Sequence, residues 1–169
     1  MKKPNSWLAL AGLCLALSAP LASALETGQA VPDISLPGAT VAPRLSDLKG
    51  KVVYLDFWAS WCGPCKQSFP WMNDMQQKYG AKGLQVVGVN LDAKRPDAER
   101  FLAENPALFA LAYDAKGETA RQVGVKGMPT SVLIDADGRV LAVHQGFREQ
   151  DRAELEARFA AALNRAKTP

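Results

Sequence analysis

The run from Lys51 to Trp58, KVVYLDFW, constrains the fold of this chain more than any other feature. It is almost entirely β-branched and aromatic, which is typical of a strand covered on both faces in a parallel sheet. A second buried run, Leu84 to Leu91, follows a helical segment from Pro64 to about Tyr79. This order predicts a strand-helix-strand unit at the centre of an α/β domain.

The remaining segments predict further elements of the same domain. Asp-Gly between two apolar runs is a strong hairpin signal, and the last segment has the spacing of an amphipathic helix. Residues 25–50, rich in Pro and Gly, predict an irregular lead-in packed on the domain. The predicted elements are helices at 94–104, 118–123 and 151–167, a short strand within 107–113, and a hairpin of strands 130–135 and 140–145.

The first 24 residues have the pattern of a secretory signal. Lys2 and Lys3 precede an apolar run, and small residues follow it up to Ala24. The apolar run is well short of the ~20 residues that a spanning helix needs. Cys14 lies within this run. The residue before it is Leu13, whereas a lipoprotein would carry a small residue there, so we treat Cys14 as an ordinary apolar residue of the leader. We expect a signal peptide at 1–24, cleaved after about Ala24, and a single domain at 25–169 in the periplasm or otherwise exported.

The charge of the exported part argues against nucleic acid as a partner. The whole chain has 20 basic and 17 acidic side chains. Removing the two leader lysines leaves 18 against 17, which is a net charge of +1. Such a balanced chain lacks the basic surface that nucleic-acid binding requires.

Cys62 and Cys65 are the only cysteines of the expected mature chain, and they allow three readings. As a structural disulfide, a four-residue loop contributes only about 2 kcal/mol on the chain-entropy argument. A structural zinc site normally needs four ligands, and the lone His144 gives this chain only three candidates. We therefore expect no metal site, and for His144 a partly exposed strand position.

Local geometry favours the third interpretation, a reactive pair. A helix that begins at Gly63-Pro64 carries Pro64 in its first turn and Cys62 at its N-terminus. The unpaired N–H groups and the dipole of the helix favour a thiolate there. Cys62 is then the attacking sulfur, and the more buried Cys65 resolves the mixed disulfide.

Four motifs resemble the thioredoxin superfamily. They are DFWASWCGPCK at 56–66, Pro70, GMPT at 127–130 and VLIDADG at 132–138. The lead-in, the additional segment at about 92–113 and the leader are similar to exported TlpA/ResA-like (DsbE-like) thioredoxins. The resemblance covers about residues 30–163. It implies a thioredoxin fold: a central mixed β-sheet flanked by helices, with an N-terminal extension and a central helical and strand insert.

The resemblance also implies roles for individual residues. Asp56 matches the buried acid that moves a proton to or from the second cysteine, and a carboxyl within an apolar strand is desolvated, which raises its pKa. Many TlpA-like relatives carry another residue there. Pro129 matches the cis-proline that faces the cysteines, and Met128 would line the same groove. Substrate contact is expected for Trp61, Gly63 and Pro64, and packing for Trp58.

The expected reaction is thiol-disulfide exchange with protein disulfides or dithiols, without a bound cofactor beyond the Cys62–Cys65 disulfide itself. The Gly-Pro dipeptide resembles that of reducing thioredoxins and favours the reductive direction. The resemblance implies a membrane electron donor of the DsbD/CcdA type, with substrates in cytochrome c maturation or copper-site assembly. We expect a monomer. The alternatives are a disulfide-donating oxidase, a peroxidase and a Cu(I)-binding metallochaperone.

Overall fold

The computed structural model describes residues 25–166. The expected signal peptide, its cleavage after Ala24, Cys14 and the last residue of the final predicted helix lie outside the described residues. Within residues 25–166, none of the helices has both the length and the apolar character needed to cross a bilayer.

A mixed β-sheet forms the centre of the described chain, as the resemblance implies. Its strand order is β3-β2-β1-β4-β5. The central strand β1 pairs in parallel with β2 and antiparallel with β4, so the hairpin at Asp137-Gly138 is added beside the parallel unit. The five strands among residues 25–166 are β1 Val52–Trp58, β2 Leu84–Asn90, β3 Ala110–Tyr113, β4 Thr130–Ile134 and β5 Val140–Gln145.

The helices lie within one or two residues of their predicted bounds. The first helix begins directly after Cys62, with a proline in its first turn, and Gly80 follows its last residue. Pro70 lies inside it. The four α-helices of the described chain are α1 Gly63–Tyr79, α2 Arg95–Glu104, α3 Glu118–Val123 and α4 Arg152–Ala166.

Apolar residues cover both faces of the sheet, which explains why every residue of β1 is buried. Alternation along the strand sends Tyr54 and Trp58 to the face covered by α1 and α4, where both cysteines also lie. Leu55 and Phe57 point to the opposite face. The lead-in covers that second face with Ile34 and other apolar side chains, so it belongs to the core.

The lead-in contains one element that the sequence did not predict. Leu45–Leu48 form a 3-10 turn, and both leucines at its ends are buried. Elsewhere in the segment, Ala30 forms an isolated bridge with Arg139, and Ser35 forms one with Arg44. Pro and Gly indicated an irregular segment here, but four residues are too few for a periodic pattern to show.

Candidate active site

The two cysteines lie where β1 passes into α1. Cys62 occupies the N-cap position, and its Sγ accepts the Cys65 backbone N–H at 3.2 Å. A disulfide joins Cys62 to Cys65. Cys62 is 5% exposed and Cys65 is fully buried, so the second cysteine is the more enclosed, as its place one turn into the helix predicts. The N-cap position gives Cys62 the orphan N–H groups of the helix start.

A buried carboxylate holds the loop that precedes Cys62. Asp92 Oδ2 accepts the Ser60 backbone N–H at 2.9 Å, and Asp92 Oδ1 accepts the Ser60 hydroxyl at the same distance. Asn90 Nδ2 donates to Asp92 Oδ2 at 2.7 Å. These bonds tie the carboxyl end of β2 to the residue two positions before the cysteine.

Sequence reasoning did not identify Asp92 or Asn90. The sequence does contain a signal for them. Asn90 ends β2 and Asp92 follows it, and β2 pairs in parallel with β1. Because the carboxyl ends of parallel strands meet at one edge of a sheet, polar residues there are candidates for contact with the cysteine loop.

Asp56 lies in the middle of β1 and is only 1% exposed. Its position between Tyr54 and Trp58 in the alternation directs it to the face that α1 covers. Asp56 Oδ2 is buried without a hydrogen-bond partner. Burial raises the pKa of the Asp56 carboxyl well above its usual range. The side chain therefore does not point to solvent, and its desolvation confirms the expectation made from the strand pattern.

The two tryptophans of the motif have opposite environments. Trp61 is 73% exposed beside Cys62, whereas Trp58 is fully buried. The Trp58 ring packs on Phe69 and Phe101, with centroid distances of 4.9 and 5.0 Å. Packing is therefore the role of Trp58, as expected, and Trp61 is accessible to a partner.

The Met-Pro-Thr segment leads into β4. The Met128–Pro129 peptide bond is cis. Met128 packs against the apolar cluster that contains both cysteines. The Pro129 carbonyl accepts the Gly146 N–H at 2.8 Å, which joins this segment to the end of β5.

A groove of about 420 Å³ opens beside Cys62. The cysteine loop and the start of α1 form one wall, and α2 forms the other. Sequence reasoning placed Trp61, Cys62 and Gly63 at such a site but missed the α2 wall. Pro64, Met128 and Pro129, which were also expected to contact substrate, are not among the residues that line it. The lining residues are Ser60, Trp61, Cys62, Gly63, Lys66, Asp97, Arg100, Phe101, Glu104 and Asn105.

The charges of this groove are balanced by neighbours. Arg100 bonds to Asp97 one turn away on α2. Lys66 Nζ lies 4.0 Å from Glu104 Oε2, and both side chains are exposed. Exposed ion pairs of this kind contribute little to stability, and the groove combines these polar groups with the rings of Trp61 and Phe101.

The candidate metal ligands do not gather into one site in the part of the chain that the structure describes. Within residues 25–166, His, Cys, Asp and Glu form no group of three or more placed to hold a metal ion. His144 is a partly exposed residue of β5, as expected.

Comparison with known proteins places this geometry in a family. Residues 26–159 match the Redoxin family. The chain is 36% identical over 135 residues to thiol-disulfide oxidoreductase ResA of Bacillus thuringiensis, covering 78% of this chain and 76% of the relative. It is 35% identical over 134 residues to the ResA of Oceanobacillus iheyensis, covering 76% and 70%.

A solved structure supports the same assignment. The chain resembles a crystal structure from Chlorobium tepidum, provisionally described as thiol:disulfide interchange protein DsbE. The TM-score is 0.79 and the identity 60%, over 83% of this chain and 99% of that one. The chain belongs to the Redoxin family, as a TlpA/ResA/DsbE-like thiol-disulfide oxidoreductase of the thioredoxin superfamily.

Proposed function

We propose that this oxidoreductase works as an exported reductant of protein disulfides. The observation that carries the exchange chemistry is the asymmetry of the cysteine pair, and the Gly63-Pro64 dipeptide, which resembles that of reducing thioredoxins, favours the reductive direction. Cys62 lies at the helix N-terminus beside an open groove, while Cys65 is sealed in the core on the same face of the sheet as Asp56. One sulfur is therefore placed to meet a substrate, and the other to receive help from a buried base.

The reductive reaction divides between these two sulfurs. In the reduced enzyme the Cys62 thiolate attacks a substrate disulfide, which forms a mixed disulfide and releases one substrate thiolate. Cys65 then loses its proton and attacks Cys62 Sγ. This step re-forms the Cys62–Cys65 disulfide and releases the second substrate thiolate, so two electrons pass from enzyme to substrate.

Asp56 is the proposed acceptor of the Cys65 proton. A general base must have a pKa near the working pH, and the burial of Asp56 raises its pKa in that direction. The protonated carboxyl then has to lose this proton before the next turnover.

Substrate contact falls to the surface around Cys62. We assign it to the exposed Trp61, to Gly63 and Pro64 at the start of α1, and to the Met128–Pro129 segment. Trp61 offers a large apolar face at the rim of the groove, which suits a polypeptide that docks across it.

The cellular setting follows the leader and the family resemblance. We place the mature chain, residues 25–169, in the periplasm as a single monomeric domain after cleavage near Ala24. A membrane donor of the DsbD/CcdA type would re-reduce it. Apocytochrome c haem-site cysteines and copper-site assembly proteins are the proposed substrates.

Trapping tests this function. Cys65→Ser keeps the nucleophile but cannot resolve the mixed disulfide, so exported substrate proteins should accumulate on Cys62. Cys62→Ser is the matched control, because it retains only the buried Cys65 and should capture nothing. Capture that is equal in the two variants, or confined to proteins that are not exported, contradicts the proposal.

The reduction potential tests the direction of electron flow. A value near about −270 mV, at the thioredoxin end of the scale, fits a reductant. A value near about −120 mV would assign the chain to disulfide donation instead. Equilibration with glutathione buffers, followed by alkylation of free thiols, gives this value.

A further inference from the structure

Asp56 begins a row of polar side chains that crosses the sheet. In the antiparallel pair of β1 and β4, Asp56 lies opposite Ser131, and in the pair of β4 and β5, Ser131 lies opposite His144. Directly opposite residues share one face and hold their Cβ atoms about 4.5–5.5 Å apart. The three side chains therefore stand next to one another on the α1 face. We call Asp56, Ser131 and His144 the polar row.

One hydrogen bond and one close contact join the row to its surroundings. Tyr54 donates its hydroxyl to Ser131 Oγ at 2.7 Å in the buried interior. At the other end, His144 Nε2 lies 3.4 Å from Asp151 Oδ2, and both side chains are partly exposed. His144 Nε2 is buried at this contact and makes no hydrogen bond. The row thus runs from a sealed carboxyl to an imidazole whose side chain is 30% exposed at the β5 edge, with its Nε2 turned inward to Asp151.

The opposite direction along the sheet is closed. The β2 neighbour of Asp56 is Gly88. A Cβ atom there would lie 2.9 Å from Phe109 Cε2, 3.1 Å from Trp58 Nε1 and 3.3 Å from Leu111 Cδ2. Packed rings and an aliphatic side chain fill this side, so these neighbours cannot carry a proton away from Asp56.

The aromatic packing around Tyr54 shields the middle of the row. Its ring centroid lies 4.9 Å from that of Phe159 and 5.8 Å from that of Trp71. Burial and the nearby Asp56 raise the pKa of the Tyr54 hydroxyl, so this group stays protonated. A hydroxyl that stays protonated can transfer a proton only if it accepts one proton while it donates another.

We propose that Ser131, bonded to Tyr54, and His144 carry the proton of Asp56 to solvent at the β5 edge of the sheet. The inference rests on the proposed function of Asp56. While a substrate is held on Cys62, it covers the groove beside Trp61, and the row offers an exit on another side of the domain.

The proton balance is complete in this path. Cys65 gives its proton to Asp56 as it attacks Cys62. Asp56 passes a proton to the Ser131 hydroxyl as that hydroxyl gives its own to His144. The partly exposed His144 ring then releases a proton to water. No electron moves along the row, and the Ser131 hydroxyl and the His144 ring turn back before they carry the next proton.

The test measures the second chemical step alone. A mixed disulfide between Cys62 and a model peptide thiol is formed in the full chain, and release of the reduced peptide is followed as Cys65 attacks. We expect Ser131→Ala and His144→Ala to slow peptide release about 10- to 100-fold. General base catalysis as a whole contributes about 10²–10⁴-fold, so the expected loss is at or below the lower end of that range. Ser131→Thr restores a hydroxyl and should recover most of the rate. Val143→Ala, adjacent to His144 on the opposite face, is the matched control and should release peptide at the wild-type rate.

Two readouts separate a relay from a structural role. Imidazole in solution should restore release by His144→Ala in proportion to its concentration, because a small base can accept the proton there. The reduction potential should stay at the wild-type value, because a relay changes a rate and not an equilibrium. Slow release that imidazole does not restore overturns the relay and leaves His144 as a structural tie to Asp151.

Asp56→Asn distinguishes this inference from the proposed function on which it rests. If Asp56→Asn slows release while Ser131→Ala and His144→Ala match the wild type, the relay is overturned and the role of Asp56 stands. If Asp56→Asn also releases peptide at the wild-type rate, both the role of Asp56 and the relay fail.

Discussion

At the scale of single residues, Asp56 is the place where function opposes stability. A carboxyl in the middle of a buried strand loses its hydration, and its Oδ2 gains no hydrogen bond in return. An unsatisfied buried polar group costs about 1–3 kcal/mol, and a charged one costs more. An apolar residue would suit this position in β1 better, so the acid is explained by chemistry and not by folding.

The pH dependence of stability tests this cost. Asp56→Asn keeps the shape of the side chain but cannot ionise. Between the pKa of Asp56 in the unfolded chain and its higher pKa in the folded protein, the native state binds more protons. The free energy of unfolding therefore falls as pH rises through that interval. We expect the oxidised Asn variant to exceed the wild type by about 1 kcal/mol or more at pH 8, and to match it near pH 4.

Denaturant unfolding of both oxidised proteins at the two pH values gives this comparison. Other titrating groups contribute equally to the two proteins and cancel in the difference. A difference that is the same at pH 4 and pH 8 would show that the Asp56 carboxyl ionises in the folded protein as it does in the unfolded chain.

At the scale of elements, the junction of β1 and α1 depends on a neighbouring strand. The helix start is local, because Cys62 caps it and Pro64 suits its first turn. The loop before it is fixed from β2, since Asp92 accepts two hydrogen bonds from Ser60. The position of Cys62 is therefore set by two elements that meet at the carboxyl edge of the sheet.

Substitutions of Asp92 and Ser60 should lower the free energy of unfolding by different amounts, according to the hydrogen-bonding groups that each leaves without a partner. Asp92→Ala removes both acceptors from Ser60 and leaves a backbone N–H without a partner, which costs about 1–3 kcal/mol. Ser60→Ala removes one hydroxyl bond and keeps the backbone bond, for about 0.5–1.5 kcal/mol. Urea unfolding of the oxidised proteins measures both. An equal loss in the two variants contradicts an anchoring role for the backbone bond.

At the scale of the whole molecule, the sheet has two cores of different origin. Helices α1 and α4 cover the face that carries the cysteines. The lead-in and α3 cover the other face, where Ile34 is fully buried against residues of β1 and β2. The segment before β1 is therefore a layer of the domain and stabilises the strand that carries Asp56.

Truncation in the lead-in tests this layer. Ile34→Ala should lower the free energy of unfolding by about 2–5 kcal/mol, as expected for a fully buried side chain. Val31→Ala, at the margin of the same cluster, should cost clearly less because Val31 is only partly buried. Thermal unfolding of the two variants gives the ranking. A small loss at Ile34 would indicate that the sheet keeps its second face covered without the lead-in.

Much of the fold could be predicted because its signals are local. The buried runs of β1 and β2, the Asp-Gly hairpin and the helix bounds depend on patterns a few residues long. The 3-10 turn at Leu45–Leu48 and the Asp92 anchor were not predicted. The first is too short for periodicity, and the second joins residues 32 positions apart.

The amino-acid sequence by itself determined the reactive pair, because the spacing of Cys62 and Cys65 and the start of their helix are fixed within one turn of chain. Only the tertiary structure decided what surrounds that pair. Tyr54 and Ser131 are 77 positions apart, and they meet because the register of three strands places Asp56, Ser131 and His144 in one line. Register depends on how all the strands pack at once, and a shift by one residue would turn these side chains to the other face.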